Sequence, residues 1–359
     1  MEIPVELILI IENAKILEKM KYKIFITLLI AALFSCKNDK EVIPEKDYWK
    51  PFTEIQYDAK NASYCYSDGE ILLIRSLESY ALFDSNHNLK QRYGYLPNKT
   101  YGYNIFPLVN NIFISIINQP NPRLIEFYNI KNTNIYGAIR LEEDSNIISI
   151  DNHDMGIFEP AYIGSPSGYY IFKVIDKSNP DFTSFAIVNL KINGLYSIKR
   201  VPLPFIHSNI KLHFYDAGKF YFTDQDNNDR SLYTMDSTGS YEKIANIDFV
   251  RMTKINNIMY GITSYWQLYL SLDNGHTWTK STVSMPTLNL IELNKMAIYY
   301  KGSSIAQLLI EGTNIKGITY NSKGLEGNEI TYMCKHNDRY YCTTKSGVFY
   351  IEEKYFKPI

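Results

Sequence analysis

The chain has 359 residues, 45% hydrophobic and 14% aromatic, and its 37 Lys and Arg against 38 Asp and Glu leave a net charge of -1. So even a balance gives no electrostatic footprint for nucleic acid, which excludes that class of partner. Thirty-one tyrosines, with frequent Ile, Val and Thr, favour strands, and no region carries a sustained helical apolar period, so an all-β protein is expected.

The first informative element is Met20 to Cys36, MKYKIFITLLIAALFSC. Lys21 and Lys23 form a basic head, and Ile24 to Phe34 is apolar apart from Thr27. That run is about half of the ~20 residues a spanning helix needs. A basic head, a short apolar core and a small residue at the cut define an export signal. Residues 1–35 are assigned to the signal peptide; within them residues 1–19 are acidic and apolar and would spoil the basic head, so they read as an extension ahead of a start at Met20, the alternative being a genuine extended signal or membrane anchor.

Leu33-Phe34-Ser35-Cys36 resembles the lipobox of bacterial lipoproteins. The resemblance implies that Cys36 is lipidated and becomes the mature N-terminus. It also implies an outer-membrane lipoprotein of a Gram-negative cell envelope, facing the periplasm or the surface. Lys37 to Glu41 is charged and reads as a solvated tether; it is similar to the stretch that follows the lipidated cysteine in some surface-exported lipoproteins. Residues 36–57 are assigned to lipidated cysteine and tether, and 58–359 to the folded domain.

From there the chain repeats. A short apolar strand meets a polar turn, and a strongly apolar strand follows. The turns are anchored at Asp68-Gly69, Asn110-Asn111, Ser167-Gly168, Ala217-Gly218, Asn256-Asn257, Asn294-Lys295 and Asn337-Asp338. Asn, Asp and Gly tolerate the positive φ that two-residue hairpins demand. The anchors are 38 to 57 residues apart, near the ~40–50 of propeller blades. A third strand and a more polar fourth complete each unit. The pattern predicts a seven-bladed β-propeller of four-stranded antiparallel blades, starting near Ser63, Asn104, Phe158, Asn209, Asp248, Thr287 and Glu329; the alternative is a β-sandwich or β-solenoid. Two closures stay open. Either the last unit supplies four strands of its own through Tyr355 to Ile359, or Tyr48 to Tyr57 lends it a strand.

Three polar stretches stand out on the face shared by second-to-third-strand loops and blade connections. They are Asp144 to Asp154, Asp176 to Ser184 and Asp224 to Asp229. Asp151, His153, Asp154, Asp224, Asp226 and Asp229 form a candidate ligand rim for a cation, a sugar or a basic protein surface. Alternating carboxylates suit Ca²⁺, but the full calcium-loop spacing is missing, and no cofactor or metal is assigned.

Ser271-Leu272-Asp273-Asn274-Gly275-His276-Thr277-Trp278 resembles the Asp-box, S-x-D-x-G-x-T-W, of sialidase-like (BNR-repeat) propellers. Ser271, Asp273, Gly275, Thr277 and Trp278 fill its signature positions. The resemblance implies a structural turn between the third and fourth strands of a blade, away from sialidase active sites. Sialidase chemistry would need an arginine triad and usually an Arg-Ile-Pro. That tripeptide is missing and the eight arginines are scattered. Further on, Cys334 and Cys342 flank a turn at His336-Asn337-Asp338. A three-residue loop would set them opposite each other and permit a disulfide; a two-residue loop would make them diagonal.

The reading is a monomeric envelope lipoprotein, held at the membrane by its lipid, whose propeller binds a protein or a glycan without catalysis. The alternative is a divergent glycoside hydrolase on the same ring. A pair of buried carboxylates at the central pocket with an arginine nearby would favour the enzyme, and a neutral or apolar lining the binder.

Overall fold

The computed structural model describes residues 48–55, 62–76, 79–93, 99–100, 112–117, 124–129, 131, 135–151, 162–191, 195–206, 210–225, 230–311 and 314–359. Cys36, His153, Asp154, Asp226, Asp229, Asn104 and Phe158 lie outside them. The described residues from Tyr48 to Ile359 belong to one compact unit.

Seven antiparallel sheets form in chain order. Blade 1 holds Tyr64–Ser67, Leu72–Arg75, Tyr80–Phe83 and Leu89–Tyr93, and blade 2 holds Lys99–Thr100, Ile112–Ile117, Leu124–Asn129 and Ile135–Arg140. In blade 3 the first position is split. Ile147–Ile150 and Tyr162–Gly164 pair with opposite ends of Tyr169–Asp176, and Phe182–Leu190 and Tyr196–Ile206 follow. Blade 4 is Ile210–Asp216, Lys219–Asp224, Ser231–Asp236 and Tyr241–Ala245. Blade 5 is Phe249–Ile255, Ile258–Thr263, Gln267–Ser271 and Thr279–Ser284. Blade 6 is Leu290–Leu293, Met296–Lys301, Ser304–Glu311 and Asn314–Thr319, and blade 7 contains Ile330–His336, Arg339–Thr344 and Gly347–Glu352.

Local chemistry explains the hairpins. Asn256-Asn257, Asn294-Lys295 and Ala217-Gly218 each hold both turn residues at positive φ, the twist that two-residue loops need between right-twisted strands. Second strands are buried on both faces, as in Leu72–Arg75, while the fourth strand Thr279–Ser284 is mostly exposed. The difference follows from position: a middle strand is covered by the blades on either side of it.

That covering makes the ring. The buried apolar side chains of the described residues fall into seven clusters, one between each pair of consecutive blades. Ile163, Phe185, Leu212 and Phe222 join blades 3 and 4. Cys65, Leu72, Tyr341 and Val348 join blades 1 and 7. Hydrogen bonds stitch the same seams. The Tyr300 hydroxyl donates to Thr331 O at 2.7 Å, and the Thr331 hydroxyl donates to Ala62 O at 2.6 Å. This circular succession makes the domain a seven-bladed β-propeller.

The structure decides the closure. Lys50–Pro51 pairs with Gly347–Glu352 as the outermost strand of blade 7, with Lys50 opposite Tyr350 and Pro51 opposite Phe349. Proline is acceptable there because an edge strand needs no donor on its open side. Tyr355 to Ile359 is not a fourth strand. It holds the end of a short 3-10 turn and a single bridge from Pro358 to Tyr320. At the seam between blades 7 and 1, His336 Nε2–H donates to Asp84 O at 3.0 Å, and Nδ1 accepts from Ser67 Oγ at 2.7 Å.

Two expectations are corrected. Cys334 and Cys342 do not form a disulfide, and both thiols are free. The turn has two residues, so Cys334 faces Tyr341 and Cys342 faces Met333. A one-residue offset turns the side chains to opposite faces of the sheet. Cys334 packs in the seam with blade 1, and Cys342 in the seam with blade 6. Asp144 to Asp154 is not simply a loop, because its apolar centre Ile147–Ile150 is the start of blade 3.

Candidate functional site

The first strands of the blades lie nearest the axis, and those of blades 3, 4, 5, 6, 7 and 1 touch in succession. Their edges and the first-to-second-strand turns enclose a central cavity of about 970 Å³. Tyr64, Tyr332, Met252 and Met333 contribute to its wall, and Asn256, Asn257, Asn294 and Asn337 lie around one mouth. Several of these strands carry a bulge, at Leu212/Phe214, Phe249/Arg251 and Ile330/Tyr332. A bulge re-aims one side chain and bends the strand.

The described lining holds two acids, Asp216 and Glu292, beside His213, Arg251, three lysines and several tyrosines. His213, the extra residue of the blade 4 bulge, bonds Thr223 Oγ1 at 3.0 Å. Burial, helped by the charges of Arg251 and Lys211, pushes its pKa down to about 3, so it is neutral at pH 7. Asp216 is met by Lys254 Nζ at 2.5 Å, and Lys335 leans outward to Glu353 at 2.5 Å. Glu292, on blade 6, is exposed. The Tyr64 and Tyr332 rings lie 4.6 Å apart, and burial lifts both hydroxyls well above their ordinary pKa. Among the described residues, the wall carries one ion-paired acid and one exposed acid, on separate blades.

Of the acidic rim, Asp151 and Asp224 are described, and both are buried. Asp151 is 1% exposed, at the end of Ile147–Ile150, with Lys173 Nζ 3.1 Å from its carboxylate. Asp224 is a buried strand end, opposite Ile210 and Ser231 in register. Both acids serve inside blades because the strands extend further than their polar ends suggest. Asp176 is similar. Burial alone would raise its pKa, but hydrogen bonds from Ser178, Arg200 and Ser184 outweigh that and hold it below the usual range. Among the described residues, no group of three His, Cys, Asp or Glu side chains could hold a metal ion.

Ser271 to Trp278 joins the third and fourth strands of blade 5. The Thr277 hydroxyl donates to Asp273 Oδ2 at 2.6 Å and the Thr277 N–H to Oδ1 at 2.8 Å, while the Ser271 hydroxyl donates to Oδ1 at 2.8 Å. These bonds pull the Asp273 pKa down to about 2. Gly275 holds φ at 91°, and Trp278 Nε1–H donates to Gly275 O at 2.8 Å. The indole lies 4.5 Å from the Phe249 ring, over the seam between blades 4 and 5. The signature side chains are thus spent on bonds within the turn, and Asn274 accepts from Tyr221 and Lys254 outside it.

Sequence reasoning passed over Tyr265 and Trp266, in the second-to-third-strand turn of blade 5. They are 74% and 46% exposed. Two aromatic residues in a turn that otherwise attracts Gly, Asn or Ser was the available signal.

Neither a protein-family model nor a curated protein matches the chain. Solved structures share its fold. The computationally designed protein Ika8 superposes with a TM-score of 0.51 at 7% identity, over 82% of this chain and 96% of that one. PorZ, a surface component of the type-IX secretion system of Porphyromonas gingivalis, gives 0.52 at 6% identity over 87% of this chain. The extracellular domain of the putative one component system BT4673 from B. thetaiotaomicron gives 0.53 at 12% identity over 85%. The match covers 39% of the PorZ chain and 40% of the BT4673 chain. At such identities the likeness is one of fold.

Proposed function

We propose that the chain is an outer-membrane lipoprotein, anchored through Cys36, whose propeller is a non-catalytic platform for a protein or glycan ligand. The observation that carries the reading is the cavity wall. Hydrolysis of a glycosidic bond needs two cooperating carboxylates about 5–10 Å apart, one held protonated near neutral pH. Asp216 is neutralised by Lys254, and Glu292 stands exposed on another blade. The described residues around them are tyrosines, methionines, asparagines and the cations Arg251, Lys254, Lys295 and Lys335, a set that suits recognition of a polar ligand. The Ser271–Trp278 turn supports the same reading, as an Asp-box used to brace a blade. The envelope address is supported by the Met20–Cys36 signal and by the surface and extracellular roles of PorZ and BT4673, which share the fold.

The test uses the full chain, expressed in a Gram-negative host and extracted in detergent. Metabolic palmitate labelling should depend on Cys36 and vanish in Cys36→Ala. The extracted protein should bind on a glycan array or to envelope proteins while releasing no chromophore from a panel of nitrophenyl glycosides. Sustained chromophore release, lost on substituting Asp216 or Glu292, would overturn the non-catalytic reading.

A further inference from the structure

The turn between the second and third strands of blade 5 holds a bulky side chain where backbone geometry disfavours one. Ser264, Tyr265 and Trp266 form a three-residue loop; Trp266 N–H donates to Thr263 O at 2.9 Å, and Gln267 N–H to Thr263 Oγ1 at 3.3 Å. The third residue of such a loop sits in the left-handed region, a place for glycine or asparagine. Trp266 occupies it at φ 63°. The other described non-glycine residues at positive φ are Asn, Ala, Lys and His. The indole recovers little of this cost by burial, being 46% exposed beside Tyr265 at 74%. Strain of this kind persists where function requires the side chain.

We propose that Tyr265 and Trp266 form a carbohydrate-stacking subsite on the propeller face that carries the second-to-third-strand turns. This rests on the binding-platform reading and gives its ligand a chemical class. A pyranose ring offers an apolar C–H face and a rim of hydroxyls. Two neighbouring aromatic residues supply broad contact area with few torsions to freeze. Ser264 and the Gln267 carboxamide, which donates to Ser284 Oγ at 2.8 Å, place polar groups beside them. A protein anchor would call instead for a wider apolar field with a buried centre.

The loop is also held in place before any ligand arrives. Asp248 Oδ2 accepts from Ser264 Oγ at 3.0 Å and from Arg230 Nη1 at 2.8 Å. Met285 N–H donates to Trp266 O at 2.7 Å. The ordering cost of the site is therefore met on folding, which favours affinity for a small ligand.

The left-handed position supplies a clean experiment, because glycine and asparagine fit it better than tryptophan. Trp266→Gly and Trp266→Asn in the full chain should melt at the wild-type temperature or about 1–3 °C higher. Binding to the probes, thio-linked oligosaccharides of glucose, mannose and xylose, should fall at least tenfold by calorimetry. Wild-type tryptophan emission should shift on binding and that of the variants should not, since Trp49 is buried and Trp278 is packed on Phe249. Leu272→Ser, at a residue 79% exposed on a third-to-fourth-strand turn, should bind as wild type. Three results would each overturn the proposal: no binding of any probe by the wild type, binding within twofold of wild type in Trp266→Gly, or a melting temperature several degrees lower in that variant. Cleavage of nitrophenyl glycosides would refute only the non-catalytic reading, since the thio-linked probes resist hydrolysis and report stacking separately.

Discussion

Replacing Trp49 by alanine tests the ring closure directly. Trp49 is 2% exposed and belongs to the cluster between blades 6 and 7. Its ring meets Phe356 edge-on at 5.9 Å, Nε1–H donates to Asn321 O at 2.9 Å, and its backbone N–H donates to Lys323 O at 2.8 Å. An aromatic side chain of this kind buries about 150–250 Å². At ~25 cal/mol per Å² that is about 4–6 kcal/mol, an upper bound because the unfolded chain already hides part of the area. Losing the indole hydrogen bond adds about 1 kcal/mol. A net cost of about 3–5 kcal/mol agrees with core tryptophan truncations in general. With a urea m-value of about 3 kcal/mol/M, the midpoint should fall by about 1–1.7 M. Trp49→Phe, which keeps the contact with Phe356, should cost less than half as much. Hydrogen exchange gives the location: Gly347–Glu352, which pairs with Lys50–Pro51, should lose protection before any other strand. A cost below about 1 kcal/mol, with exchange in Gly347–Glu352 unchanged, would refute the claim that the N-terminal strand latches the ring.

Three further outcomes follow from the same geometry. The pKa of Asp273 is about 2 when folded, so its contribution is complete above about pH 4 and disappears as pH falls towards 2; Asp273→Asn should melt below the wild type at pH 6 and converge with it at pH 2, and parallel melting curves at every pH would contradict this. His213 has a folded pKa of about 3, so protonation favours the unfolded chain and stability falls as pH drops below about 6.5; between pH 7 and 5.5 this group should cost about 1 kcal/mol, a loss seen by urea titration and missing from His213→Gln. Gly261 would place a Cβ 2.3 Å from the Phe249 ring, so Gly261→Ala should destabilise by about 1–3 kcal/mol through overpacking; adding Phe249→Leu should cost less than the two single changes summed, and strict additivity would show that the two side chains do not meet.

Much of the ring was legible in the chain because it is written in short-range chemistry. Alternating apolar strands and positive-φ turns such as Asn256-Asn257 repeat at blade spacing, and each hairpin needs only neighbouring residues to form. The Ser271–Trp278 turn was legible for the same reason: the hydrogen bonds among its signature residues span four residues or fewer. What tertiary structure decided involves partners far apart in sequence or a choice of sheet face. Lys50–Pro51 finds Phe349 and Tyr350 across the whole domain, and no local pattern announces that pairing. Cys334 and Cys342 part company over one residue of register. Asp151 and Asp224 looked like solvated loop acids, and their burial depends on which strands cover them. The left-handed backbone of Trp266, unlike the aromatic pair itself, was visible only in the structure. Local propensity selects elements and their order, whereas burial and charge pairing are set by packing between elements, and only the closed ring supplies that packing.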